Sequence, residues 1–144
     1  MHAEPQLEAT RTEHLPGIFS LYRRYLAREP NEPRIAMHIS QFPSAVLVAA
    51  DAVAGFVYTT DFAPDILELA NIFVAPEYRN GGHGEELVAY VEAAAKEQFS
   101  SIILVNSMLY TSAEQKRPAT RFYTRLGYKI IGSTQYTNIF YKEL

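Results

Sequence analysis

Three glycines, Gly81, Gly82 and Gly84, fall within four residues, between an apolar run and a helical pattern. The run Ile66, Leu67, Leu69, Ile72, Phe73 and Val74 is apolar and partly β-branched, as in a strand covered on both faces. Pro76 ends it, because proline cannot continue a ladder. Beyond the glycines, Leu87, Val88, Val91 and Ala95 recur at helical spacing. A strand, a glycine turn and a helix in that order gather free backbone N–H groups, backed by a helix dipole, at one point. Such a place suits an anion, and a pyrophosphate in particular.

Two familiar phosphate loops do not fit these residues. A nucleotide P-loop needs Lys and then Ser or Thr after its last glycine, whereas Glu85 and Glu86 follow Gly84. A dinucleotide loop starting at Gly82 and Gly84 would need a third glycine where Leu87 stands, and Ser100 to Asn106 holds no carboxylate for a ribose. Glu68 is the second chemically loaded residue. A carboxylate inside an apolar strand is costly unless it is paired or used, so Glu68 is the candidate general base, with a solvent-facing glutamate as the plain alternative. The four histidines, His2, His14, His38 and His83, show no metal-ligand spacing. No cysteine is present, so neither a thiolate metal site nor a cysteine nucleophile can be built. No metal is expected.

The elements that must position these groups follow from periodicity. Gln6 to Thr10 reads as a first strand, and Leu15, Ile18, Phe19, Tyr22, Tyr25 and Leu26 predict an amphipathic helix over 13–28. Pro30 and Pro33 punctuate the chain before a short helix carrying Ile35, Ile39 and Phe42. Ala45 to Ala50 and Val53 to Thr60 read as strands joined by a tight hairpin at Asp51 and Ala52. After the glycine turn and its helix come a strand at Ile102 to Val105, a helix at Glu114 to Leu126 stopped by Gly127, and strands at Tyr128 to Ile131 and Asn138 to Tyr141. The order β-α-α-β-β-β-α-β-α-β-β describes an α/β mixed sheet. At 144 residues the chain suits one domain, 1–144, with a real core. A net charge of −3 argues against a general nucleic-acid binder. Neither a signal peptide nor a run of 18 apolar residues is present, which makes a cytoplasmic protein with no membrane association the expectation.

The hexapeptide RNGGHG, Arg79 to Gly84, fits R/Q-x-x-G-x-G/A, and ATRFYTRLGYKIIG, Ala119 to Gly132, fits A-x-x-F-Y-x-x-L-G-F with Tyr128 at the last position. With these two motifs in order and a strand between them, the chain resembles the GNAT superfamily of acetyl-CoA-dependent N-acetyltransferases. The resemblance implies a mixed, mostly antiparallel central sheet flanked by about four helices. It implies acetyl-CoA as co-substrate, its pantetheine arm held by backbone groups of Ile72, Phe73 and Val74. The pyrophosphate would be held by amides of Asn80, Gly81, Gly82, His83, Gly84 and Glu85, with Arg79 at the R/Q position. It implies Tyr123 as the proton donor to the departing thiolate, a role suited to a phenol that starts protonated at neutral pH; a core aromatic is the alternative. Glu68 falls eleven places before Arg79, where histone-type members carry a glutamate base.

The chain departs from the family pattern at one position. Seven residues before Tyr123 the family often has an Asn that contacts pantetheine, and here it is Lys116, which has donors but no acceptor. Lys116, Arg117, Arg121, Arg125 and Lys129 concentrate positive charge, either as a solvated face or as an attraction for the phosphates of CoA. The activity this implies is acetyl transfer to an amine of a small molecule or a peptide by direct attack in a ternary complex. A non-catalytic acyl-CoA-binding or protein-interaction module on the same fold is the alternative. The acceptor side is expected from the first two helices, the 58–65 turn and the final strands, contributing Tyr22, Tyr25, Tyr58, Asp61, Asp65 and Tyr136.

Overall fold

The computed structural model describes residues 4–107 and 116–144, the side chains of Lys116 and Arg117 excepted. Seven strands form one sheet: β1 (Gln6–Ala9), β2 (Ser44–Ala49), β3 (Ala52–Ala63), β4 (Ile66–Val74), β5 (Ser101–Ser107), β6 (Lys129–Ser133) and β7 (Thr137–Glu143). Four α-helices accompany it: α1 (Leu15–Tyr25), α2 (Glu32–Gln41), α3 (His83–Ala95) and α4 (Lys116–Arg125). The strand order is β1-β2-β3-β4-β5-β7-β6, and only the β4–β5 pair is parallel. This is the mixed, mostly antiparallel sheet with four helices that the motifs implied.

Alternation along the strands sorts the core into two layers. Ala45 and Leu47 of β2 join Val57, Leu67, Leu69, Ile102 and Phe140 beneath α3 and α4, while Val46 joins Phe56, Tyr58 and Phe73 beneath α1 and α2. Leu87, Val88 and Val91 of α3 are at most 1% exposed, and each such side chain contributes ~1.5–3 kcal/mol by leaving water. The β2–β3 hairpin turns at Ala50 and Asp51, both at positive φ, rather than at Asp51 and Ala52. Two left-handed residues match the twist of a tight antiparallel hairpin. Pro33 does not break a helix; it sits in the first turn of α2, where its missing N–H has no partner to lose, and Asn31 caps that turn by accepting from the Arg34 N–H at 3.2 Å. Residues 58–63 belong to β3 rather than to a turn, because their ladder with β4 continues to Ala63. The expected start of the fourth helix at Glu114 lies outside the described residues. Its end is a left-handed Gly127 (φ 96°), with Gly127 N–H to Thr124 O at 3.0 Å and Tyr128 N–H to Tyr123 O at 3.0 Å, a Schellman closure.

Two irregularities of the sheet open a space beside β4. The parallel β4–β5 pairing spans only Ile66–Glu68 against Ser101–Ile103, whereas β5 pairs with β7 along all seven of its residues. β5 therefore stays with β7, and the edge of β4 beyond Glu68 is free of it. The second is a bulge: Tyr58 pairs Asn71 while Thr59 pairs Leu69, which leaves Ala70 extra in β4. The extra residue reverses parity, so Leu67 and Leu69 face the α3 layer before it and Ile72 and Val74 face that layer after it.

Candidate active site

The bulge also sets which backbone groups look into the opening beside β4. Ala75 N–H donates to Ala54 O at 2.8 Å, which makes Val74–Gly55 a non-hydrogen-bonded pair and Phe73–Phe56 a hydrogen-bonded one. Phe73 thus turns its N–H toward β3, and Val74 turns its own toward the free edge. Ile72 also faces that edge, but its N–H donates to the side-chain oxygen of Asn71 at 2.9 Å. The Asn71 amide in turn donates to Tyr22 Oη at 2.7 Å, and Tyr22 shares a hydrogen bond with Tyr58. A buried chain of polar groups therefore fixes the bulge from the opposite face of the sheet.

A groove of about 420 Å³ opens where the β4–β5 ladder stops. Ile72, Phe73 and Val74 form one wall, Asn106 of β5 a second, Ala119, Phe122 and Tyr123 of α4 a third, and the glycine turn closes one end. At that end Gly82 is the N-cap of α3 with φ 82°, and Asn80 is also left-handed at 67°. Glu86 N–H bonds Gly82 O at 3.1 Å, and no side chain caps the helix. The N–H groups of His83, Gly84 and Glu85 consequently have no partner within the helix. A Cβ at Gly84 would stand 3.3 Å from the Phe122 ring, so this glycine lets α3 and α4 approach closely.

The side chains around the turn have separate tasks. Arg79 donates through Nε to Val74 O at 2.8 Å and lies 5.3 Å from the centre of the Phe73 ring, which ties the turn to the end of β4. His83 is buried, with Nδ1 3.0 Å from Glu86 and Nε2 3.4 Å from Glu4, so its contribution to the groove is its backbone. Arg125 lines the groove from α4, next to the Phe122 ring. Arg121 is exposed on the same helix.

Tyr123 is 6% exposed and lines the groove. Its ring packs edge-on against Phe122 at 5.0 Å and Tyr128 at 5.8 Å, and tilted against Phe140 at 5.1 Å. Among the described residues its hydroxyl has no hydrogen-bond partner. Burial pushes its ionisation well above the ordinary phenol range, so it holds its proton across neutral pH. Tyr128, at the position where the family motif has Phe, satisfies its extra hydroxyl by donating to Glu92 at 2.8 Å, and Lys142 neutralises that carboxylate at 3.1 Å.

Glu68 does not share the groove with Tyr123. It occupies the last parallel rung, opposite Ile103, and lies between Leu67 and Leu69, so its side chain faces the α1–α2 layer. There it lines a second cavity with Tyr22, Tyr58 and His38. Desolvation raises its carboxyl above the ordinary range, partly offset by Arg34. Of the groups expected on the acceptor side, Tyr22 and Tyr58 meet here. Tyr25 packs instead on Phe73 at 5.5 Å, and Asp61, Asp65 and Tyr136 are exposed outside this cavity. Two residues escaped sequence reasoning: His38, buried with Nδ1 unpartnered, and Asn106, whose buried Nδ2 is unpartnered at the groove wall. Only the alternation of Ile35, His38 and Ile39 on α2, and of Leu104 and Asn106 on β5, pointed toward either. Among the described residues no three His, Asp or Glu side chains gather as a metal site, and no helix is long and apolar enough to cross a membrane.

Residues 43–130 match the family model described as acetyltransferase (GNAT) domain. No curated protein sequence matches the chain. Among solved structures, the ribosomal-protein-S18-alanine N-acetyltransferase from Escherichia coli superposes with a TM-score of 0.77 at 18% identity, covering 96% of this chain and 93% of that one. Naa50 from Arabidopsis thaliana, solved with the bisubstrate analogue CoA-Ac-MVNAL, gives 0.78 at 16% identity over 98% and 99%. The PaiA N-acetyltransferase from Thermoplasma acidophilum, solved with coenzyme A, gives 0.76 at 15% over 97% and 99%. At such identities the likeness is one of fold, while the family match covers more than half of the sequence, including the glycine turn and Tyr123. The chain belongs to the GNAT acetyltransferase family.

Proposed function

We propose that residues 1–144 form one acetyltransferase domain that moves an acetyl group from acetyl-CoA to an amine by direct attack in a ternary complex. One observation carries the reading: the groove holds the unpartnered amides of α3 at one end and the protonated Tyr123 on its wall, beside the free edge of β4. The pyrophosphate of the co-substrate fits the amides of residues 82–85, and Gly82 leaves the space before them open, with nothing within 4 Å of an added Cβ. The Val74 N–H and the orphaned Asn106 amide suit the polar pantetheine arm. Asn106 offers from β5 the amide that Lys116 cannot supply from α4.

In the reaction the acceptor ammonium gives a proton to Glu68, directly or through water, and the neutral nitrogen attacks the thioester carbon. The C–N bond forms, the C–S bond breaks, Tyr123 passes its proton to the thiolate, and the proton that the new amide nitrogen sheds returns to the Tyr123 phenolate through water. The coenzyme A bound by the PaiA relative and the CoA–peptide analogue in the Naa50 complex support this reading, and the proposal includes a cytoplasmic setting.

Acetyl-CoA at about 100 times its Kd should stabilise the protein by ~2.7 kcal/mol, read as a rise in melting temperature. Saturating acetyl-CoA with neither a melting shift nor calorimetric heat removes the proposal. The base is tested separately. Because the Glu68 carboxyl titrates above its ordinary range, kcat/KM should rise with pH through that elevated value as the carboxylate forms. Glu68→Gln should erase this limb and lower kcat/KM by about tenfold or more; an unaltered profile assigns proton removal to water alone.

A further inference from the structure

The second cavity, about 240 Å³, lies between the α1–α2 connection, α2 and the middle of β4. Two ionisable groups on its walls, Glu68 and His38, have no hydrogen-bond or ion-pair partner among the described residues. Glu68 is half-buried and, among the described residues, makes no ion pair or hydrogen bond. His38 is 8% exposed, and its Nδ1 has no partner. Arg34, in the first turn of α2, forms no salt bridge among the described residues, yet its charge is felt by both Glu68 and His38. Arg28 adds positive charge at the same rim, while the nearby Glu29 is already taken by Arg23 at 3.1 Å. Asp61, which also acts on His38, lies outside the lining.

A desolvated carboxylate without a cation is costly, and a ligand that brings an ammonium returns that cost. The Arg34 guanidinium, which lines the same cavity and whose charge acts on Glu68, can receive a carboxylate bidentately. Burial, together with Arg34, keeps His38 neutral, so it sets no positive charge against an ammonium in the cavity. The cavity is also smaller than the ~300–1,000 Å³ of sites for drug-sized ligands, which favours a molecule of single-residue size over a peptide.

Resting on the acetyltransferase reading above, we propose that this cavity is the acceptor site and that the acceptor is a small free amino acid, its amine against Glu68 and its carboxylate on Arg34. The position suits transfer, because Glu68 stands on the last rung before β4 and β5 part, so an amine beside it borders the opening through which the thioester must be reached. The Tyr58–Tyr22–Asn71 chain joins this cavity to the Ile72 N–H at the groove, so both sites share one rigid wall.

The test pairs acceptors that differ in the carboxylate alone: β-alanine with propylamine and 4-aminobutyrate with butylamine, beside alanine and short peptides, with CoA thiol release measured under saturating acetyl-CoA. The amino acid should exceed its partner by about tenfold or more in kcat/KM, chiefly through KM, and Arg34→Gln should erase that ratio. Arg34→Glu should move the preference toward 1,4-diaminobutane. Equal use within each pair, an unchanged ratio in Arg34→Gln, or peptides used better than free amino acids each overturn the proposal. Calorimetry of the same amino acids on the CoA-saturated protein reads the cavity without turnover. Binding that Arg34→Gln abolishes, with no acetyl transfer, upholds the site and removes the acetyltransferase reading. Absent binding and absent turnover of every amino acid, with acetyl-CoA still bound, removes this proposal and leaves that reading in place.

Discussion

Tyr123→Phe should lower turnover by ~10²–10⁴-fold, the usual contribution of a positioned general acid, while leaving acetyl-CoA affinity and melting temperature nearly unchanged. The separation of the two effects follows from the packing. The ring is held edge-on by Phe122 and Tyr128 and tilted against Phe140, contacts that phenylalanine keeps. The hydroxyl has no protein partner among the described residues, so its removal strands no buried donor or acceptor, the loss that usually makes such a change costly. Desolvation alone holds the phenol protonated well beyond neutral pH. The deficit should therefore be constant from about pH 6 to 9. Turnover equal to the parent, measured where chemistry limits the rate, would reduce Tyr123 to a core aromatic. A drop in melting temperature matching the drop in rate would do the same.

The seven strands and four α-helices were legible because most carry a strong period or a firm stop, whereas the short 3-10 turns at Thr12–His14 and Pro76–Tyr78 carry neither and were not. The α3 stripe Leu87, Val88, Val91 and the αL stop at Gly127 are examples in which local rule and fold agree. The illegible features are those in which pairing partners decide. The apolar run of β4 is covered on both faces, so its pattern is the same on either side of Ala70 and hides the bulge. Where the β4–β5 ladder stops depends on β5 following β7, which no residue of β4 announces. Pro33 reads as a breaker until one knows that Asn31 caps a helix there.

The site divides along the same line. The glycine turn and Tyr123 were visible as motifs, since their chemistry depends on local spacing, and the structure brings them to one groove. Glu68 was visible as a misfit carboxylate, but only the sheet shows that it faces the α1–α2 layer and a cavity of its own. Arg79 illustrates the converse. Its place in the motif suggests a ligand contact, whereas its Nε is spent on Val74 O and its plane lies by Phe73. His38 and Asn106 carried no motif, and what marks them is burial without a partner, a property of three-dimensional packing alone.

Gly82→Val should abolish measurable acetyl-CoA binding at concentrations that saturate the parent. Two effects act together. At φ 82° a non-glycine residue is strained by roughly 1–2 kcal/mol, and a β-branched one is the least tolerant. This part lowers the melting temperature and is read without ligand. The second part is steric in the complex. Chain neighbours apart, no atom lies within 4 Å of a Cβ built at this position, so the new side chain meets no other protein group and takes up space at the end of the groove that Gly82 lines. A pyrophosphate needs that approach, because its hydrogen bonds run to backbone N–H groups that only a bare turn exposes. Gly82→Asn separates the two effects, since asparagine adopts the left-handed region with little strain yet still places a side chain there. It should melt close to the parent and bind acetyl-CoA weakly. Asn at this position with parental affinity would mean that the phosphates lie elsewhere, and the assignment of the α3 N-terminus to the co-substrate would fail.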